Sequence, residues 1–270
     1  MHSRVDIELQ GTVQGVGFRP AVYRLATAAG LSGWVRNCQG CVRLRVEGEA
    51  DAVAAFIETF PGQLPPQAAI DRLTIVDETV IPVSAAEPGF RIEASRSGDE
   101  AHVAIPADLA ICEACAAEIR DPAGRRFGYP FTTCTDCGPR YTVVRAMPYD
   151  RIRTTLAEFP LCDACRAEYE NPADRRFHAE SIACPTCGPQ LTFCAMDGAG
   201  LTGEPPLRAA RAALAAGRIV AVRGLGGFQL AVDAFNGPAI ARLRGAKRRP
   251  AKPFAIMAAD LDVIRACCEM

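Results

Sequence analysis

Eight cysteines fall into two identical patterns, Cys112-x2-Cys115-x18-Cys134-x2-Cys137 and Cys162-x2-Cys165-x18-Cys184-x2-Cys187. A Cys-x2-Cys turn sets two thiolates on one side of a tight loop, and two such turns supply the four sulfur ligands of a tetrahedral zinc ion. Gly138 and Gly188 follow the second pair in each pattern, where a glycine lets backbone N–H groups face the sulfurs. Four cysteines per ion close the site, so the expected zinc is structural and performs no catalysis. The spacing leaves open whether each ion uses one pattern or shares pairs between the two.

A second chemical feature lies near the start. Gly11-Thr12-Val13-Gln14-Gly15-Val16-Gly17-Phe18-Arg19-Pro20 sits between an expected strand and an expected helix. Glycines there let several N–H groups converge, and the helix N-terminus adds partial positive charge, which together make an anion cradle. Pro20 suits a first helical turn, where its missing N–H costs nothing. Arg19 stands at the rim with a planar fork suited to phosphate.

The cysteine patterns belong to a repeat with an offset of 50 residues that also keeps an Asp/Asn-Pro pair, Arg-Arg-Phe and Cys-Gly-Pro in step. Such identity at a fixed period marks a duplicated unit. Arg125-Arg126-Phe127 and Arg175-Arg176-Phe177 are expected to balance thiolate charge and fill a small core; contact with a partner is the alternative. His178 is expected at the surface, because each unit already has four sulfur ligands. Cys38 and Cys41 fall on an expected hairpin turn without a partner pair, and Cys194, Cys267 and Cys268 lack ligand spacing.

Around these features the flanks read as mixed α and β structure. Strands are expected at 5–9, 33–37, 41–47, 73–80 and 90–94. Helices are expected at 20–29 and at 51–60, the latter with Asp51 as N-cap. That order is the ferredoxin-like β-α-β-β-α-β pattern. Residues 95–100 read as a linker. Beyond 203, a helix at 207–216, strands at 219–222 and 228–232 and a helix from 238 form the start of a larger α/β domain. The fold class is α+β with three parts: 1–96, a zinc-stabilised double ribbon at 105–195, and an incomplete α/β segment at 203–270.

No export signal and no membrane-length apolar run are present, so thirteen cysteines point to metal ligation in a reducing cytoplasm. The formal charge is -1, and each four-thiolate zinc site adds two negative charges. This balance argues against a nonspecific nucleic-acid or membrane binder. A zinc-ribbon nucleic-acid binder and a noncatalytic scaffold remain as alternatives.

The loop from Gly11 to Arg19, with Gly33-Trp34-Val35-Arg36-Asn37, resembles acylphosphatase. The resemblance implies that Arg19 and the N–H groups of Gln14, Gly15, Val16, Gly17 and Phe18 hold a phosphate, and that Asn37 orients the attacking water. An acyl phosphate is already reactive, so positioning and charge stabilisation suffice. The acylphosphatase-like part followed by the two cysteine units resembles the HypF carbamoyltransferases of nickel–iron hydrogenase maturation. The likeness continues through Cys137-Gly138-Pro139-Arg140 and Gly224-Leu225-Gly226-Gly227-Phe228 into Lys247-Arg248-Arg249-Pro250-Ala251-Lys252, which looks like the basic motif of a YrdC-like domain. It implies hydrolysis of carbamoyl phosphate at the N-terminal part and contact of Lys247, Arg249 and Lys252 with phosphates of ATP. It further implies carbamoyl adenylation and transfer to the partner HypE in the full-length protein.

Overall fold

The alternating run of Val5, Ile7 and Leu9 becomes β1 (His2–Thr12), with these three side chains buried. In the computed structural model, which describes residues 2–96, 106–200 and 205–269, β1 is joined by β2 (Ser32–Cys38), β3 (Cys41–Glu49), β4 (Ala69–Ile81) and β5 (Phe90–Ile92). The sheet order is β4-β1-β3-β2-β5; β5 runs parallel to β2 and the other pairs are antiparallel. Helices α1 (Phe18–Ala28) and α2 (Ala50–Thr59) contribute Phe18, Val22, Ala26, Val53 and Phe56 to one core with Val5, Ile7, Leu9, Val35 and Leu44. Burying each large side chain contributes roughly 1.5–3 kcal/mol, which is what holds the loop between β1 and α1 in place. Elsewhere the sheet is polar: Arg45 pairs with Asp6 at 2.6 Å, and the Arg36 guanidinium lies 4.1 Å from the Trp34 ring centroid. The architecture is the ferredoxin-like one. Glu49, not Asp51, is the N-cap of α2; Asp51 sits in the first turn, where its charge still favours the helix dipole.

Two short helices lie in the cysteine region, α3 (Glu113–Arg120) and α4 (Asp163–Glu170). Their N-caps are Cys112 and Cys162, so the first Cys-x2-Cys of each unit is built on a helical turn. At eight residues each, these helices are too short for a periodic apolar stripe to announce them.

The chain divides into two compact units, Met1–Pro189 and Gln190–Met270. The second holds α5 (Pro206–Ala215), a hairpin of β6 (Val220–Gly224) and β7 (Gly227–Ala231), α6 (Gly237–Lys247) and α7 (Leu261–Cys267). Asn236 and Asp260 cap α6 and α7 through their side chains. Residues 97–100 of the expected linker, residue 105 and residues 203–204 lie outside the described residues. No helix among the described residues is long and apolar enough to cross a membrane.

Candidate functional site

The loop leaving β1 turns on Gly15 and Gly17, whose φ angles are 71° and 73°. A side chain at Gly15 would also place its Cβ 2.9 Å from Pro106 Cγ. Among the described residues, the N–H groups of Gln14, Gly15, Val16 and Gly17 donate to no protein acceptor. Phe18 and Arg19 open α1, whose first-turn N–H groups have no partner within the helix. Six consecutive N–H groups at the start of a helix are thus left without a protein acceptor, an arrangement suited to an anion.

Gln14 fixes this loop from its side chain. Its Nε2 donates to the carbonyls of Cys38 and Cys41 at 2.7 and 2.8 Å, and its Oε1 accepts from the Tyr149 N–H at 3.0 Å. Asn37, at the end of β2, is 1% exposed. Its Nδ2 donates to the Tyr149 carbonyl at 3.2 Å, which orients the amide, while Oδ1 is buried with no protein donor. Loop, Arg19 and Asn37 line one side of a small cleft.

The cysteine region supplies the other side. Arg140 donates from Nε to the Gly15 carbonyl and from Nη2 to Thr135 O at 2.7 Å, so it binds the loop to the first unit. The second unit contributes His178 and Glu180. Arg19 is 9% exposed at its side chain; its Nη2 donates to Glu180 Oε1 at 2.7 Å and lies 3.3 Å from Asp150 Oδ1. Burial pushes the Glu180 carboxyl up, opposed by the charge of Arg19. Burial, followed by the charge of Arg19, pulls His178 down to about 4, so its imidazole is neutral at neutral pH. The surface position expected for His178 is thus corrected: its ring packs on Tyr169 and Phe177, with centroids 4.9 and 4.7 Å away, and it lines the cleft. Phe177 in turn meets Tyr23 of α1 at 5.2 Å, and this brings the stretch to the site.

The eight cysteines assemble as two clusters, Cys112–Cys115–Cys134–Cys137 and Cys162–Cys165–Cys184–Cys187, each within one repeat. Sulfurs of Cys112 and Cys134 are 3.7 Å apart, and those of Cys184 and Cys187 are 3.6 Å apart. A tetrahedron with Zn–S bonds of about 2.3 Å has edges of about 3.8 Å, so the donor sets fit zinc. Burial pushes the Cys165 thiol up to about 12 despite the nearby Arg125; a cation at the centre is what would stabilise its thiolate.

The arginine pairs cross between the repeats. Arg125 Nη2 lies 3.3 Å from Cys165 Sγ, and Arg126 Nη2 donates to Glu168 at 2.6 Å. Reciprocally, Arg175 Nη1 lies 3.2 Å from Cys115 Sγ, and Arg176 Nη2 donates to Glu118 at 2.5 Å. Each pair therefore serves the other repeat's sulfurs. Cys38 and Cys41 are joined by a disulfide, which corrects their reading as plain hairpin cysteines. The β2–β3 register places them directly opposite, with Cα atoms 5.1 Å apart, inside the span a disulfide bridges.

In the second compact unit, Lys247 ends α6, and Arg249 donates to the carbonyls of Lys252 and Pro253 at 3.3 and 2.7 Å. Arg244 lies 4.7 Å from the Phe254 ring centroid and Arg249 5.5 Å from it. Lys247, at the end of α6, and Lys252, in the loop that follows, are both exposed.

Comparison with known proteins agrees with this layout. The Acylphosphatase profile matches residues 5–92, the HypF finger profile 111–144 and 161–194, and the Telomere recombination profile of the Sua5/YciO/YrdC group 212–270. The chain is 51% identical over 259 residues to carbamoyltransferase HypF2 of Cupriavidus necator, covering 96% of this chain and 32% of that protein. It is 40% identical over 78 residues to the acylphosphatase of Syntrophotalea carbinolica, covering 28% of this chain and 84% of that one. A crystal structure of full-length HypF in a phosphate- and nucleotide-bound form superposes with a TM-score of 0.86 at 37% identity, covering 98% of this chain and 34% of that chain. The chain thus spans about a third of the length of the curated HypF relatives it matches.

Proposed function

The chain belongs to the HypF carbamoyltransferase family, and we propose that its N-terminal cleft hydrolyses carbamoyl phosphate to carbamate and phosphate. The observation that carries this reading is Asn37 Oδ1, a buried acceptor without a protein donor, in the same cleft as a loop whose N–H groups have no protein acceptor. The loop N–H groups of Gln14–Phe18 and the Arg19 guanidinium hold the phosphoryl oxygens, and Asn37 accepts a hydrogen bond from the attacking water. No strong base is needed, because carbamate leaves readily once the phosphoryl group is oriented and its charge stabilised.

Zinc in the two four-cysteine clusters supplies rigidity to the wall that carries Arg140 and Glu180. The arginines that a nucleic-acid reading would need on the surface are turned on sulfur and carboxylate instead; Arg126 and Arg176 are each 3% exposed. For the whole protein, of which this chain matches a third, the reading extends to ATP-dependent carbamoyl adenylation, with Lys247, Arg249 and Lys252 toward the nucleotide, and to transfer of the carbamoyl group to HypE. The bound phosphate and nucleotide of the related full-length HypF support that extension.

The test is phosphate release from carbamoyl phosphate by the zinc-loaded chain. Arg19→Ala and Asn37→Ala are each expected to lower kcat/KM by about 10²–10³-fold, the scale of loss seen on removing one positioned group that stabilises the transition state. Variants that match the wild type would exclude the cleft as the site of hydrolysis.

A further inference from the structure

We propose that Glu180 of the second cysteine unit is a positioning residue for Arg19, so that the cysteine region completes the acyl-phosphate site. This rests on the reading of the cleft given above. Glu180 is 4% exposed at its side chain and accepts on both oxygens. Oε1 takes Arg19 Nη2 at 2.7 Å; Oε2 takes the Tyr169 hydroxyl at 2.9 Å and the Arg151 N–H at 3.0 Å. Arginine and backbone N–H cannot reverse their role, so an amide here would turn an N–H against one of them. The pocket is built for a carboxylate.

That carboxylate holds one end of the guanidinium. Asp150 lies near the same nitrogen and is shared with Arg153 at 3.0 Å. Among the described residues, Arg19 Nε and Nη1 donate to no protein group, which leaves N–H groups on both flanks of the guanidinium for an anion. An arginine ordered before substrate arrives loses less entropy on binding.

The repeat marks this as an addition to the metal frame. Fifty residues earlier, Pro130 stands in place of Glu180 and Gly128 in place of His178. Gly128 has φ 66° and His178 φ 52°, the same left-handed backbone, which a glycine adopts freely and a histidine does not. The unit facing Arg19 carries the strained, functional version.

The experiment compares the wild-type chain with Glu180→Gln, Glu180→Asp and the double variant Glu180→Gln/Arg19→Ala. Each is checked for zinc content and melting temperature. The readouts are kcat and KM for carbamoyl phosphate and the affinity for inorganic phosphate by calorimetry. We expect Glu180→Gln to raise KM and weaken phosphate at least tenfold, Glu180→Asp to recover part of the loss, and the double variant to be no worse than Arg19→Ala alone. If Glu180→Gln fails to fold, Glu180→Asp with its intermediate loss carries the comparison. Unchanged or tighter phosphate binding, or full additivity with Arg19→Ala, would overturn the proposal. A wild type without turnover would sink the hydrolysis reading instead, and phosphate affinity would still report on the Arg19–Glu180 coupling.

Discussion

The two cysteine units share their ligand spacing, their helix-borne first pair and their sulfur geometry, yet they face different surroundings. Phe127 is 56% exposed, whereas its counterpart Phe177 is 5% exposed and packs against Tyr23 of α1. Gly128 and Pro130 of the first unit are replaced by His178 and Glu180 in the second, which line the cleft with Arg19. The first unit reaches the same loop another way, through Arg140 on the Gly15 carbonyl. A duplicated metal frame keeps what the metal and the cross-bracing arginines require. It diverges where one copy meets a second surface, and that divergence lies at the proposed site.

The strongest way to break this comparison is to remove one ligand. Because each arginine pair serves the other unit's sulfurs, the units should lose metal together. Structural zinc contributes on the order of 10 kcal/mol to such small modules. Cys115→Ser is therefore expected to release close to two zinc equivalents and abolish phosphate release, measured by metal content and activity. Retention of one full equivalent with an intact cleft would show that the units are independent. A smaller effect sharpens the asymmetry. Phe177→Ala should cost about 3–5 kcal/mol in chemical denaturation, as buried aromatic truncations do, while Phe127→Ala should stay within about 0.5 kcal/mol. Equal costs would mean that the second unit does not dock on α1 as described.

The two four-cysteine clusters and the glycine-rich loop are legible in the sequence because each pattern is local: Cys-x2-Cys, and Gln14 to Arg19, each lie within a few residues. The ferredoxin-like sheet was legible from alternation such as Val5-Ile7-Leu9. What stayed hidden depends on distant partners. Arg19 meets Glu180 across 161 residues, and the crossing of Arg126 to Glu168 and Arg176 to Glu118 needs both repeats placed in space. His178 is superfluous to the sulfur ligand count, and it is its packing on Tyr169 and Phe177 that brings it to the cleft. The signal for both residues lies in the repeat itself, where Gly128 and Pro130 of the first unit correspond to His178 and Glu180 of the second. Short helices α3 and α4 lacked a periodic stripe, and the Cys38–Cys41 bond follows from hairpin register that composition does not reveal.

The most direct measurement is wild-type hydrolysis of carbamoyl phosphate in ¹⁸O-labelled water, with the uncatalysed reaction subtracted. In the proposed reaction, water held by Asn37 attacks the phosphorus of a phosphoryl group held by Arg19, so one labelled oxygen is expected in each phosphate released by the protein. Unlabelled phosphate formed at the catalysed rate would place the attack at the carbamoyl carbon and contradict it.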